Sequence, residues 1–272
     1  MILDSTISWT GPTWNPWRGC KKKSAGCDNC YMYRGMARWG HDPKTVVRAA
    51  KPTFRKPYKI QREIDEGLRP NLIDRLMFTC SWSDFFNPEA DPWRPEAWQI
   101  IRECPDVIPQ ILTKLPHRIT DHLPPFWDEI KGRCWMGVSV ENQPAAWRIK
   151  YLIEVDAAVR FLSCEPLIGP VDVLQAIAES PVTKAGDLAS DWIHWVIVGG
   201  ESGPGARIMK IDHARALVHQ CQNAGIAVLM KQLGGIAAKE LGLVDYKGEN
   251  MAEWPDEISD LKVHAFPESA YA

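Results

Sequence analysis

Three cysteines near the amino terminus are the residues in this sequence best suited to chemistry. Cys20, Cys27 and Cys30 follow the pattern C-x6-C-x2-C. Three thiolates in one loop can bind a metal ion or a metal cluster. A structural zinc ion takes four protein ligands, whereas a 4Fe-4S cluster held by three cysteines leaves one iron open to a small molecule. Because the motif contains no fourth ligand, we expect it to hold a 4Fe-4S cluster with an open iron.

Two alternatives remain for the same loop. A fourth ligand from outside it, such as His41 or Cys80, would close a structural zinc site. A purely structural cluster would also use the three thiolates. The remaining cysteines stand singly in apolar or strand-like segments, where cysteine packs as a small hydrophobe. They are Cys80, Cys104, Cys134, Cys164 and Cys221. A reducing compartment suits both groups of cysteines, so we expect a cytoplasmic protein.

Short apolar strands alternate with helical segments through most of the chain. A chain of 272 residues with 45% hydrophobic content can bury a full core, and one α/β barrel accommodates this length. Strands are predicted at residues 75–80, 107–112, 134–140, 159–163, 192–198 and 226–230. Alternating strands and helices favour a parallel sheet covered on its faces. The predicted fold is α/β, a partial (β/α)6-7 TIM-like barrel over residues 1–235, with residues 236–272 as a carboxy-terminal extension packed on the barrel.

Polar residues follow each predicted strand, which is where a parallel barrel carries its functional groups. In a barrel these strand ends meet at one mouth, whereas an open doubly wound sheet gathers only those beside its switch point. We expect the mouth to contain the residues at these strand ends, which are Ser81, Ser83, Asp84, Thr113, Lys114, Ser139, Glu141, Asn142, Ser163, Cys164, Glu165, Gly199, Gly200, Glu201, Lys231 and Gln232. The ionisable Glu165, Glu201 and Lys231 are the candidate catalytic groups. Glu165 and Lys231 have a structural alternative, since a buried carboxylate and ammonium can simply pair with each other.

A glycine-rich loop follows the predicted strand at residues 192–198. Its sequence, from Gly199 to Arg207, is neither a P-loop nor a dinucleotide-binding fingerprint, because the glycine spacing and the G-K-[ST] ending are absent. Late loops of barrels often bind phosphate or carboxylate, and Arg207 offers a planar fork for such a group. A tight turn would explain the glycines but not Glu201 and Arg207 together. We expect Gly199, Gly200 and Arg207 to contact a cofactor.

Seven motifs spread over nearly the whole chain carry a family resemblance. They are Trp14-Asn-Pro-Trp-Arg-Gly-Cys20, Gly26-Cys27-Asp-Asn-Cys30-Tyr31, Leu112-Thr-Lys-Leu-Pro116, Gly137-Val-Ser-Val-Glu141, Arg160-Phe-Leu-Ser-Cys-Glu-Pro-Leu-Ile-Gly-Pro170, Trp195-Val-Ile-Val-Gly-Gly-Glu-Ser-Gly-Pro-Gly-Ala-Arg207 and Lys231-Gln-Leu-Gly234. With these motifs the chain resembles phage- and prophage-encoded three-cysteine proteins of unknown function that are regarded as radical-SAM-like. The resemblance implies a partial (β/α)6 barrel with a 4Fe-4S cluster on the loop after the first strand. It also implies that S-adenosylmethionine (SAM) binds the open iron and is cleaved reductively to a 5′-deoxyadenosyl radical.

The same resemblance implies roles for residues at the strand ends. Ser81, Ser83 and Asp84 would bind the amino group of SAM; the structural alternative is a turn cap. Ser139 and Glu141 would hold the ribose hydroxyls, with capping of the next helix as the alternative.

The cysteine motif departs from the commonest radical SAM pattern in two ways. The first gap is six residues rather than three, and Asn29 stands where an aromatic residue usually precedes the last cysteine. Tyr31 is the expected substitute for that aromatic residue.

The resulting functional hypothesis is an iron–sulfur, SAM-dependent radical enzyme that uses an external electron donor. Its substrate is not specified by the sequence; the phage association makes nucleic acid or a nucleotide the first expectation. One alternative is a non-catalytic phage protein, stabilised by zinc or an iron–sulfur cluster, that binds nucleic acid through the basic segment 44–62 and its tryptophans. Another is a metal-dependent hydrolase. The net charge of -2 leaves nucleic-acid binding open, and no run approaches the roughly 20 apolar residues of a membrane helix.

Overall fold

The computed structural model describes Ser5 and residues 7–268, and its strands are short and apolar. Most strand residues are buried, as expected of a parallel sheet covered by helices. The strands are β1 (Thr13–Trp14), β2 (Trp17–Arg18), β3 (Val47–Arg48), β4 (Leu76–Thr79), β5 (Ile108–Thr113), β6 (Trp135–Ser139), β7 (Val159–Cys164), β8 (Trp195–Gly199) and β9 (Ala227–Gln232).

Helices separate most of the strands, and several begin with proline in the first turn, where its missing N–H costs nothing. The helices are α1 (Tyr31–Arg38), α2 (Lys51–Phe54), α3 (Lys56–Asp65), α4 (Leu72–Arg75), α5 (Arg94–Glu103), α6 (Trp127–Ile130), α7 (Arg148–Leu152), α8 (Val173–Ala178), α9 (Ala189–Trp192), α10 (Ile211–Asn223) and α11 (Gly235–Glu240). Across Ser5 and residues 7–268, none of the helices combines the length and the apolar character needed to traverse a bilayer.

The sheet keeps its strands in chain order. Within the described residues, seven strands form one sheet in the order β1-β4-β5-β6-β7-β8-β9, while β2 and β3 form a separate antiparallel pair. The pairs β1–β4, β4–β5, β7–β8 and β8–β9 are parallel. A doubly wound sheet reverses its strand order at a switch point, whereas a barrel does not. The predicted α/β class with a parallel sheet is therefore confirmed, and the strand order is consistent with a partial TIM-like arrangement.

The chain divides into two compact units. The first contains Met1–Lys22, Cys30–Gly137 and Val155–Ala158. The second contains Lys23–Asn29, Val138–Glu154 and Val159–Ala272. The predicted boundary at residue 235 stays a prediction.

Aromatic side chains form the core of the first unit around β1. Trp14 is fully buried, packs edge-on against Phe54 of α2, and donates its indole N–H to the Phe54 carbonyl at 3.1 Å. Trp17, also fully buried, donates to the Asp84 carbonyl at 3.0 Å. A buried indole that finds an acceptor contributes a large apolar area without an unsatisfied donor. These two tryptophans therefore fix the chain directly before Cys20.

In the second unit, the carboxy-terminal segment packs on β8 and β9. Val263 accepts a hydrogen bond from the Met230 N–H at 2.9 Å, and the Ala265 N–H donates to Val228 at 2.9 Å. The indole of Trp195 donates to the Ala265 carbonyl at 2.8 Å. Residues 263–265 thus add a short extended segment beside the last strand.

Candidate functional site

The loop after β4 holds the chain just before the first cysteine. The Asn15 amide donates to the Ser81 hydroxyl at 2.9 Å, and the Trp82 N–H donates to the Asn15 side-chain oxygen at 2.7 Å. Tyr31 donates its hydroxyl to the Ser81 carbonyl at 2.6 Å and lies edge-on to Trp82. Ser81 and Tyr31, both predicted cofactor contacts, are therefore brought together in the first unit.

A second set of contacts fixes Gly19 and Cys20. The Ser83 hydroxyl donates to the Gly19 carbonyl at 2.6 Å, and the Tyr33 hydroxyl donates to the Cys20 carbonyl at 2.5 Å. Gly19 has a φ of +96°, and a Cβ at this position would lie 2.1 Å from the Thr45 carbonyl oxygen. Only glycine combines this backbone conformation with this close approach. The backbone direction at Cys20 is thus determined by its neighbours.

Asp84 satisfies its carboxylate within its own turn and the next strand end. One oxygen accepts from the Thr113 hydroxyl at 2.7 Å and the Phe86 N–H at 2.9 Å. The other accepts from the Lys114 N–H at 2.8 Å. The side chain is buried and links the end of β4 to the end of β5. This geometry is that of the turn cap, the structural alternative to binding the amino group of SAM.

Within the second unit, Glu141 fastens the short turn that carries Cys27. Its carboxylate is 1% exposed and accepts from the Ser24 hydroxyl at 2.8 Å and from Arg148 at 3.0 Å. Arg148, itself buried, also donates to the Ser139 carbonyl at 2.7 Å. A Cβ on Gly26 would lie 2.5 Å from a carboxylate oxygen of Glu141. Glu141 therefore packs directly against the turn instead of capping the helix that follows β6.

Glu201 and Arg207 form an ion pair that holds the other end of this turn. Arg207 donates three hydrogen bonds to the Glu201 carboxylate, at 2.8 to 3.0 Å. The Asn29 amide donates to Glu201 at 2.9 Å and to the Gly205 carbonyl at 2.6 Å. Arg207 also donates to the Ala25 carbonyl at 2.9 Å. Asn29 stands where the commonest radical SAM motif has an aromatic residue. Its side chain connects the turn to Glu201.

The surroundings of Glu201 favour its charged form. Burial by itself raises the pKa of a carboxyl group, but hydrogen bonds from Arg207 and Asn29 outweigh it and hold the pKa of Glu201 below its ordinary value. The hydrogen bond to Glu201 in turn raises the pKa of Arg207. The pair is therefore charged at neutral pH and acts as a fixed contact for segment 25–29.

Replacing Glu201 by glutamine is expected to lower the free energy of unfolding by about 1–3 kcal/mol at neutral pH, because the charge-assisted hydrogen bonds are weakened. The folded-state pKa lies below the unfolded-state value of about 4.3, so this stabilisation is complete above that value. It is lost as the pH falls through the folded-state pKa. Urea denaturation over a series of pH values measures the difference between wild type and Glu201→Gln.

The control for this prediction is Glu240→Gln, at an exposed position that makes no ion pair within the described part of the chain. It should leave both the stability and its pH dependence unchanged. A difference between wild type and Glu201→Gln that does not shrink in acid would show that the ion pair is not its source.

The third pair of predicted residues, Glu165 and Lys231, is joined by a salt bridge. The Lys231 ammonium lies 2.5 Å from a Glu165 oxygen, and the two side chains are 15% and 18% exposed. Glu165 also lies within 3.3 Å of where a Cβ on Gly199 would be. Mutual pairing is the structural alternative left open by the sequence, and both side chains retain some access to solvent.

Gly200 is required for close packing between the ends of β8 and β9. Its carbonyl accepts from the Gln232 amide at 2.6 Å, and its N–H donates to the Gln232 carbonyl at 2.9 Å. A Cβ on Gly200 would lie 2.1 Å from the Leu233 carbonyl oxygen. Contact between two backbones therefore accounts for this glycine.

The three motif cysteines differ from the other five in their environment. All eight are free thiols. Burial raises the pKa of Cys104, Cys134 and Cys221 to about 12 and that of Cys80 and Cys164 well above its ordinary value. Such thiols are poor metal ligands, because the ligand is the thiolate. Cys20 and Cys30 are partly exposed, and Cys27 is 8% exposed.

The chemistry of the motif donors fits an iron–sulfur cluster. The set is made of thiols alone, the ligands that such clusters prefer, and the Lys23 N–H points at the Cys27 sulfur at 3.5 Å. Backbone N–H groups directed at cysteine sulfurs are a common feature around such clusters. Within Ser5 and residues 7–268, no three His, Cys, Asp or Glu side chains converge as a metal-binding group. Metal binding by Cys20, Cys27 and Cys30 therefore stays a prediction.

Gln110 is a polar residue that the sequence reasoning missed. It lies in the middle of β5, opposite Phe78 of β4, and is fully buried. Neither side-chain atom of its amide has a hydrogen-bond partner among the described residues. The signal was available in the sequence, since a glutamine inside an apolar strand needs a partner.

Replacing Gln110 by methionine is expected to raise the free energy of unfolding by about 1–3 kcal/mol, because it removes a buried unsatisfied amide at similar volume. Urea denaturation of the purified chain measures the change. The comparison variant is Thr113→Val on the same strand, which should be destabilised because it loses its bond to Asp84. A loss of stability in Gln110→Met would instead indicate that the amide has a bound partner in solution.

The fold and the contacts above define a class of protein, namely an α/β protein with parallel strands in chain order and a cysteine-bearing turn fastened by strand-end carboxylates. The chain matches, over residues 4–260, the family model described as "Protein of unknown function (DUF5131)", and it belongs to that family. No curated protein and no solved structure matches the chain.

Proposed function

We propose that the chain is an iron–sulfur, SAM-dependent radical enzyme with its cluster on Cys20, Cys27 and Cys30. When bound, the cluster together with SAM supplies a 5′-deoxyadenosyl radical able to abstract a hydrogen atom from a substrate. The phage association and the radical SAM relationship enter this proposal from the sequence resemblance. The partial (β/α)6-7 barrel of that enzyme class is supported by parallel strands that run in chain order.

The observation that carries the proposal is a set of hydrogen bonds that hold the turn around Cys27 in place. Two buried carboxylates at the ends of β6 and β8, Glu141 and Glu201, make direct hydrogen bonds to residues 24–29. Burying carboxylates is costly unless they are paired and hydrogen bonded, and both are. A basic surface loop without a ligand would not need such support, whereas a metal ligand requires a fixed orientation.

The chain's own residues then have distinct roles. Glu141 and Glu201 are positioning residues in this proposal, because both bind residues of the turn at 24–29. The half-buried Glu165–Lys231 pair is the candidate for orienting a polar group of the substrate or moving a proton. Ser139, Gly199 and Gly200 contribute backbone that can line a SAM site.

Two further parts of the proposal concern the surroundings of the enzyme. A cluster of this kind needs a one-electron donor, which we take to be a separate redox protein. A reducing cytoplasm is the proposed compartment, because it would keep the eight free thiols reduced.

Anaerobic reconstitution of the full chain with iron and sulfide tests the proposal. About four iron and four sulfide per chain are expected, with an electron paramagnetic resonance signal of the reduced cluster that changes when SAM is added. Dithionite should then drive cleavage of SAM to 5′-deoxyadenosine. One equivalent of bound zinc with no SAM cleavage would overturn the proposal. A cluster whose paramagnetic signal does not change when SAM is added would be a structural cluster, and the proposal of radical chemistry would fail.

A further inference from the structure

A strong charge bias separates one part of the first unit from the rest of the chain. Residues 30–62 contain nine Lys and Arg residues and a single acidic residue, Asp42, whereas the whole chain contains 32 basic and 34 acidic residues. These 33 residues comprise α1, β3, α2 and most of α3. A local excess of basic residues on a chain of balanced charge is the electrostatic footprint expected of a polyanion-binding segment.

The basic charges of this segment do not stabilise the amino-terminal ends of its helices. A helix dipole favours acidic residues in the first turn, yet α1, α2 and α3 have none there. Lys51 begins α2 and Lys56 begins α3, at the end where a cation is unfavourable. Helix stability therefore does not account for the absence of acidic residues.

Several of these cations remain available for a partner. Arg38, Lys51 and Arg62 are exposed and make no ion pair within the part of the chain that the structure describes. Lys59 lies 3.5 Å from Glu63, but that carboxylate is already bound by Arg69 at 2.7 Å. The segment thus retains a net positive charge after its internal ion pairs are counted.

An exposed tryptophan accompanies the cations. Trp39 follows α1 directly, next to Arg38, and is 72% exposed, the largest exposure of any aromatic residue among those described. At this exposure the flat face of the indole ring is accessible to a planar partner. Nucleobases stack on such rings, while their phosphates pair with neighbouring Arg and Lys.

We propose that the basic segment 30–62 binds single-stranded nucleic acid, with Arg38, Lys51 and Arg62 contacting phosphates and Trp39 stacking on a base. A single strand is favoured over a duplex because its bases are free to stack on an exposed ring. The binding requires no cluster, so it stands or falls independently of the radical chemistry proposed above.

Fluorescence anisotropy of a labelled oligothymidylate of about 20 nucleotides, longer than the site of one binding module, tests the proposal with the full chain. The triple variant Arg38→Gln/Lys51→Gln/Arg62→Gln should weaken binding about tenfold or more. Its plot of log affinity against log salt should be shallower by about 2, since three phosphate contacts are lost. Trp39→Ala should weaken binding by about 5-fold to 150-fold with the salt slope unchanged.

The matched control removes the same charge from the second unit. Lys184, Lys210 and Lys239 are exposed and make no ion pair within the described residues. Their triple replacement by glutamine should leave affinity and salt slope as in wild type. Equal losses in the two triple variants, no binding at low salt, or binding to anionic phospholipid vesicles in preference to the oligonucleotide would each overturn the proposal.

Discussion

Cys27→Ala is expected to reduce iron incorporation from about four atoms per chain to background and to abolish reductive SAM cleavage. Cys27 lies in the turn held by Glu141 and Glu201, and its sulfur faces the Lys23 N–H. Removing one of three thiolates leaves two ligands for a cluster that needs three, so partial retention is not expected. Iron and sulfide analysis after anaerobic reconstitution, followed by a 5′-deoxyadenosine assay, measures the effect.

Cys104→Ala is the matched control for this experiment. Cys104 is fully buried between α5 and β5, and burial raises its pKa to about 12. Its loss should lower stability modestly and leave the iron content unchanged. If Cys27→Ala retained the cluster, or if both variants lost it equally, Cys27 would not be a ligand. Cys20→Ala and Cys30→Ala should behave as Cys27→Ala does.

Arg148→Met is expected to lower the free energy of unfolding by about 3 kcal/mol, because it removes the guanidinium paired with the buried Glu141. Both side chains are at most 3% exposed, so solvent cannot replace the lost interaction. The variant also removes the hydrogen bond to the Ser139 carbonyl. Urea denaturation, with hydrogen exchange of residues 24–29 as a local readout, measures the change.

Two controls separate this effect from a general loss of charge. Arg215→Met breaks exposed ion pairs to Asp260 and Asp212 and should cost at most about 1 kcal/mol. Glu141→Gln/Arg148→Met removes both charges and should recover much of the loss, because no uncompensated buried charge remains. If Arg148→Met were as stable as Arg215→Met, a structural role for the Glu141–Arg148 pair would be contradicted.

The parallel α/β class could be predicted from the sequence because its strands are apolar runs separated by helical segments. The two-residue strand β1 could not, since Thr13–Trp14 carries no periodicity and exists only through its pairing with β4. Pairing of residues 263–265 with β9 is a long-range property that local patterning does not contain.

The candidate site shows the same division between local and distant information. The spacing of the three cysteines is a local feature that can be recognised in the sequence. Glu141 and Glu201 were recognised as strand-end carboxylates, but their hydrogen-bond partners lie 117 and 172 residues earlier in the chain. The sequence alone therefore could not distinguish a carboxylate that binds a cofactor from one that holds the cysteine turn. Gln110 lies inside β5, so the polar residues at the strand ends give no indication of it.

The long separation between the Cys27 turn and its two carboxylate supports also bears on assembly. During synthesis the turn leaves the ribosome well before Glu201, which lies 172 residues after Asn29. Until then the thiol of Cys27 belongs to an unsecured loop. Any metal loading that depends on an ordered turn is consequently a late event, deferred until the growing chain has reached its final strands.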